Sequence, residues 1–201
     1  MKIFIHLFTS FLLLTLSVSA QKDSPENANS NYPVPLLTIE PAIGVEPMSD
    51  LIISNVVQWN IKKRLSAVSY TSYAFNNAMQ RDFNYIKTNY NYTLTQKLGV
   101  GTSLHAKRSS HTFSFLAGIR YDDYKETLEN PEFEKVTAAQ SSLSPDLGLL
   151  YNLKMGKKKH FFSYRMYIPL YPYPFKSSYP WSMSDNMANL SFEFGIGIRL
   201  K

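Results

Sequence analysis

Two histidines, His105 and His111, stand in a stretch that also holds Ser103, Ser109, Ser110, Asp122 and Asp123. Hydroxyl, imidazole and carboxylate are the parts of a nucleophilic hydrolase. The imidazole takes the hydroxyl proton and the carboxylate orients the imidazole. Such a set could deacylate a lipid or cleave a peptide. The spacing does not single out one such set, because short polar loops contain Ser and Asp by default. The chain has no G-x-S-x-G, no H-E-x-x-H and no paired acidic motif. No catalytic residue is assigned, and a lipid- or peptide-hydrolysing enzyme is kept only as a second alternative. His160 follows three lysines and reads as a solvated turn residue rather than a metal ligand. The chain has no cysteine, which excludes thiolate metal sites, thiol nucleophiles and redox pairs. Neither a metal nor a cofactor is expected.

The elements that must position these residues are strands. In NLSFEFGIGIRLK (Asn189 to Lys201) apolar side chains fall on every second position, a period of two. The same alternation recurs from Leu37, Leu51, Arg64, Ile86, Leu98, Phe113, Leu147 and Phe162, giving nine segments and no convincing amphipathic helix. Three connections look alike, QWNIKKRLSAV, YTLTQKLGVG and YNLKMGKKKHFF, each read as a short Lys-bearing turn. Longer polar connections are expected over Asp122 to Leu143 and Pro172 to Ala188. Short turns on one side and long loops on the other are the habit of membrane barrels.

Residues 1–20, MKIFIHLFTSFLLLTLSVSA, have a basic start, an apolar run and a small-residue cleavage site, and read as a secretory signal peptide. Residues 21–35 are polar and rich in Pro and Asn, and read as a flexible linker. The barrel is expected over 36–201. The formal charge is +6, with KRSS and GKKKH read as basic clusters, and nucleic acid is an unexpected partner for an exported chain.

Alternation alone does not say whether the apolar stripe meets a protein core or lipid. The polar stripe mixes both charge signs with Gly, Ser and Asn, which suits a crowded lumen better than a solvated face. Its members Glu40, Glu46, Lys87, His105, Arg120, Arg165, Glu193 and Arg199 are expected to pair across the interior, since an unpaired charge in a closed space is costly. The competing reading is a narrow path for ions or small solutes. In the loop YPYPFKSSYPWSMSD, Tyr171, Tyr173, Phe175, Tyr179 and Trp181 could form a binding surface or sit in the headgroup layer as interface anchors.

The final strand resembles the C-terminal strand of Gram-negative outer-membrane β-barrels, with Phe192, Phe194, Ile196, Ile198 and Leu200 on the pattern. It departs from many members in ending Leu200-Lys201 rather than on Phe. The resemblance is to small barrels of OmpA/OmpX-like architecture, and no subfamily is identified. It implies an all-β, antiparallel, up-and-down transmembrane barrel that closes first strand to last. Bacterial single-chain barrels have an even number of strands, so ten are expected, with a further strand around Phe133 to Ala139, and eight as the alternative. The resemblance further implies residence in the outer membrane, contact with its lipid and assembly by the barrel insertion machinery through the final strand. A monomeric, non-enzymatic protein is expected, acting through its extracellular loops on an unidentified ligand or as a structural envelope component.

Overall fold

In a computed structural model of the protein, residues 34–45, 51–75, 86–106, 108–129, 134–171 and 190–200 are described. The expected signal peptide and nearly all of the expected linker lie outside them. At the linker's end, the Pro35 carbonyl already accepts a hydrogen bond from the Asn60 side chain at 2.6 Å.

The described residues form β1 (Leu37–Val45), β2 (Leu51–Asn60), β3 (Leu65–Phe75), β4 (Ile86–His105), β5 (Ser109–Leu128), β6 (Val136–Met155), β7 (His160–Tyr171) and β8 (Ser191–Leu200). Each pairs antiparallel with its sequence neighbours, and β8 returns to β1, so the eight strands close into an up-and-down barrel. The count is eight, the alternative expected from sequence, and not ten.

Two segments account for the difference. Thr95-Gln96-Lys97 has the composition of a turn but lies in the middle of β4, paired with Ser72, Thr71 and Tyr70 on one side. Two of the nine segments are therefore one strand of 20 residues. The additional strand expected near Phe133 to Ala139 is the start of β6, also 20 residues long. What reads as a long polar loop from Asp122 to Leu143 is mostly ladder, with Asp122 opposite Ser142 and Leu128 opposite Val136.

The barrel has two unlike ends. Tight turns join β2 to β3, β4 to β5 and β6 to β7 at one end, and both termini of the barrel lie there. In the β6–β7 turn Gly156 takes a φ of 115°, a left-handed conformation that only glycine adopts at no steric cost. The connections across 46–50, 76–85, 130–133 and 172–189 leave from the opposite end. There β3 stops at Phe75, opposite Tyr92, and β7 stops opposite Leu147. β4, β5 and β6 continue past these limits as a three-stranded blade.

The polarity is inverted relative to a water-soluble fold. Among the largest fully buried side chains are Arg165, Lys97, Glu40, Glu126, Glu193 and Asn152. Outward, the alternate positions present Ile43, Ile53, Trp59, Leu98, Phe115, Ile119, Phe162 and Phe194, all exposed. Buried charge and exposed aliphatic surface are each uncommon, and here they alternate along single strands.

Candidate functional site

Strand alternation sends one polar stripe from each wall into the lumen, where the side chains meet partners from distant strands. Arg165 of β7 lies with its Nε 3.3 Å from Glu193 of β8, and its Nη2 donates to Ser54 of β2 at 3.1 Å. Glu193 also accepts from Ser54, from the Tyr70 hydroxyl at 2.7 Å and from Ser191 at 3.0 Å. Alongside, the Lys97 ammonium sits 2.7 Å from Asp146 and 3.4 Å from the centre of the Tyr167 ring. The Tyr167 hydroxyl donates to Asp146 at 2.7 Å, and its ring stacks on Tyr70 with centroids 5.9 Å apart.

Two further sets lie along the same interior. Glu40 pairs with Lys154 and accepts from Thr38 at 2.7 Å and Asn152 at 2.8 Å; Lys154 also donates to Gln58 at 2.8 Å. Arg120 meets Asp122 at 2.5 Å, and Asp122 accepts from Thr93 at 2.7 Å. Each buried charge in these sets thus has a counter-charge, and most have added hydrogen bonds, the condition under which burial of ions is tolerable. Glycines make room for the larger groups: the Phe161 ring lies over Gly197 and Tyr167 over Gly148, each filling the space a Cβ would take. Arg165 and Glu193 have no exposed surface at all, so no water-sized path runs beside them.

Of the charges expected in the lumen, Glu40, Arg120, Arg165 and Glu193 lie there, in separate pairs. Lys87 does not: it is exposed, past the end of β3 and beyond a register shift between Thr88 and Tyr90 that turns it off the inward stripe. His105 sits at the tight-turn mouth, half-buried, with Nε2 2.8 Å from the Lys63 carbonyl and Nδ1 2.9 Å from the Ser110 hydroxyl. Arg199 donates to the carbonyl oxygens of Lys158 and Gly156, the latter at 2.7 Å, and lies 4.5 Å from the centre of the Phe161 ring. Glu46 lies outside the described residues. Sequence reading missed Lys97, Asp146 and Lys154, and placed Asp122 in a polar loop rather than in the lumen. Position parity was the available signal, since Lys97 continues the stripe of Gly99 and Gly101.

On the closing strand Phe194 and Ile196 point outward at 64% and 56% exposure, with Phe192, Ile198 and Leu200 partly covered. Tyr173, Phe175, Tyr179 and Trp181 lie outside the described residues, and of Tyr171 only the strand position is described.

The candidate hydrolase set does not assemble. Ser110 meets His105, but the other imidazole nitrogen faces a backbone carbonyl rather than a carboxylate. Asp122 lies far along β5 from Ser110, roughly 40 Å at about 3.3 Å per residue. His111 bonds the Tyr151 hydroxyl at 2.9 Å, and Asp123 accepts from Tyr92 at 2.8 Å. Among the described residues no group of three or more His, Cys, Asp or Glu is placed to hold a metal ion.

A closed barrel of eight antiparallel strands with a filled interior is the architecture of the small OmpA/OmpX-type barrels. No family model and no curated protein matches the sequence. Among solved structures, Ail, the attachment invasion locus protein of Yersinia pestis, superposes with a TM-score of 0.48 at 10% identity, covering 82% of this chain and 96% of that one. Neisserial surface protein A (NspA) gives 0.44 at 10% identity, covering 82% and 94%. A second Ail structure, in complex with the heparin analogue sucrose octasulfate, gives 0.42 at 10% identity, covering 82% and 96%. Likenesses at these values carry no weight for function, which is read from this chain's own residues.

Proposed function

We propose that this chain is an integral outer-membrane barrel, non-enzymatic and closed to solutes, which acts through the surface at its long-loop end. One observation carries the membrane reading: the inversion of polarity along each strand, with paired ions inside and Ile, Leu, Phe and Trp outside. In hydrocarbon every backbone group must be paired within the protein, and closure of β8 on β1 leaves no open edge in the barrel wall, the free edges of the blade lying beyond it. The outward Phe194 and Ile196 support handling by the insertion machinery that reads such final strands.

The sealed Arg165–Glu193 level supports a structural or binding role over conduction. The blade of β4, β5 and β6 offers the largest ordered surface beyond the barrel wall among the described residues, and it is the part most suited to meeting an external ligand. Fractionation and electrical recording test the proposal. The mature protein is expected in the outer-membrane fraction, to need detergent for extraction and to migrate faster on gels unheated than boiled. In planar bilayers it is expected to give no stable conductance. Recovery as a soluble protein would overturn the membrane reading, and reproducible conductance steps would overturn the closed lumen.

A further inference from the structure

The two ends of the barrel differ in charge as well as shape. The tight-turn end carries Lys62, Lys63, Arg64, Arg108, Lys157, Lys158 and Lys159, all exposed, and no Asp or Glu lies in these turns. Isolated basic turns are commonly just solvated. Here two of them are locked together around a groove. The Gly156 amide donates to the Arg108 carbonyl at 3.0 Å, which ties the β4–β5 turn to the β6–β7 turn. From inside, the buried Arg199 guanidinium holds the carbonyls of Gly156 and Lys158, and its own amide donates to Lys159 at 2.9 Å. The turn therefore has a fixed shape, and its lysine side chains leave from fixed points.

Beneath the turns a groove of about 890 Å³ runs down the outer wall. Met155, Phe162 and Ile196 form its apolar floor, exposed at 44%, 65% and 56%, while Arg108, Lys157 and Lys158 stand at its upper rim. The size is that of a small-molecule site. Its two-part chemistry is that of an amphiphile: an apolar slot on the hydrocarbon side, capped by cations at the water boundary.

We infer that this groove is a binding site for an anionic phospholipid of the leaflet in which the tight turns sit. One acyl chain lies along Met155, Phe162 and Ile196, and the phosphate is held by Arg108, Lys157 and Lys158. The charge complementarity selects an anionic over a zwitterionic headgroup. Depth matches as well, because the cations stand where headgroup phosphates lie when the apolar floor is in the hydrocarbon. The inference rests on the membrane reading above and adds a ligand to it.

The test is native mass spectrometry of the folded full-length mature protein released from micelles doped with equal phosphatidylglycerol and phosphatidylethanolamine. Retention of one phosphatidylglycerol in preference is expected. The triple variant R108Q/K157Q/K158Q should lose that preference, by about fivefold per charge removed. A control triple at another turn, with Lys62, Lys63 and Arg64 of the β2–β3 turn changed to Gln, should keep most of it. Glycerol phosphate, which lacks the chains, should not compete, whereas effective competition would mean a simple anion site. Equal retention of both lipids by a protein that is heat-modifiable and bilayer-inserted would overturn the lipid site alone. Failure to insert would overturn the membrane reading instead. If the triple variant fails to assemble, Phe162→Ala, which changes only the apolar floor, provides the second measurement: unchanged lipid retention there would also sink the site.

Discussion

Lys97 of β4 and Asp146 of β6 meet at 2.7 Å inside the barrel, on opposite flanks of β5, with the Tyr167 ring against the ammonium. A pair so enclosed contributes less than its attraction suggests, yet losing one member strands the other in a closed space. Lys97→Met is therefore expected to lower the unfolding free energy by about 3–5 kcal/mol, and the double change with Asp146→Leu to restore most of it. Urea titration in detergent micelles measures both. Equal loss in the single and double variants would mean that volume, not charge, governs the site.

Glu193 and Arg199 share an inward stripe on β8 but have different partners, and their variants should separate. Glu193→Ala leaves the wholly buried Arg165 without its carboxylate and should cost several kcal/mol, within the about 3–5 kcal/mol range for a broken buried pair. Arg199→Ala frees the carbonyls of the β6–β7 turn and should act mainly there, with a smaller fall in thermal stability. Amide hydrogen exchange at Gly156 to Lys159 would rise in the second variant only.

The outward face of the final strand sets a third expectation. Arg at Phe194 or Ile196 should hinder assembly, at about 2–4 kcal/mol near a bilayer midplane. Nitroxide labels at position 194 should be reached by lipid-dissolved oxygen, and shielding there would mean that a protein surface covers this face.

Asn55 faces outward from the middle of β2, next to Thr71, and its side-chain oxygen is buried without a hydrogen-bond partner. Against hydrocarbon that oxygen is a standing cost, so Asn55→Leu is expected to stabilise the folded barrel by about 1–2 kcal/mol. Reversible unfolding in lipid bilayers reads the sign, and destabilisation would place a polar partner at that wall.

At the end of the blade, Glu129 and Lys135 close the β5–β6 hairpin at 2.5 Å. The Lys135 hydrogen bond and charge hold the Glu129 carboxyl below its ordinary value of 4.5. A depressed folded pKa contributes stability above the unfolded value and loses it as pH falls through the folded one. Carboxyl NMR should show Glu129 titrating below 4.5 in the wild type and near 4.5 in Lys135→Ala. An unshifted wild-type midpoint would mean that the hairpin end is not held as described.

Strand identity was legible in the sequence because period two is a local property, and Phe192 to Leu200 displays it without interruption. Strand count was not, because a Thr-Gln-Lys run has turn composition wherever it occurs. The pairing of β4 with β3 and β5 shows that the strand runs through this stretch, so that the parity of Lys97 with Gly99 and Gly101 holds. Inward position was likewise readable for Glu40, Arg165 and Glu193, whereas their partners were not. Closure and shear decide that Glu40 meets Lys154, and that Arg199 reaches turn carbonyls. Lys87 shows the limit of parity: counted along the sequence it shares the phase of Lys97, but the register shift between Thr88 and Tyr90 reverses the alternation and sets it opposite Thr127.

The three-stranded extension has one further consequence. On its β6 side, residues 136–146 run past the end of β7, about 35 Å of strand at roughly 3.3 Å per residue. Ordering a free loop of that length on binding would cost about 1–2 kcal/mol for each residue fixed. Here that entropy has been surrendered already, during folding, because β6 is hydrogen-bonded to β5 along its whole length. A partner that docks on this surface meets a template already in its bound shape, so its contacts convert into affinity with little loss to ordering.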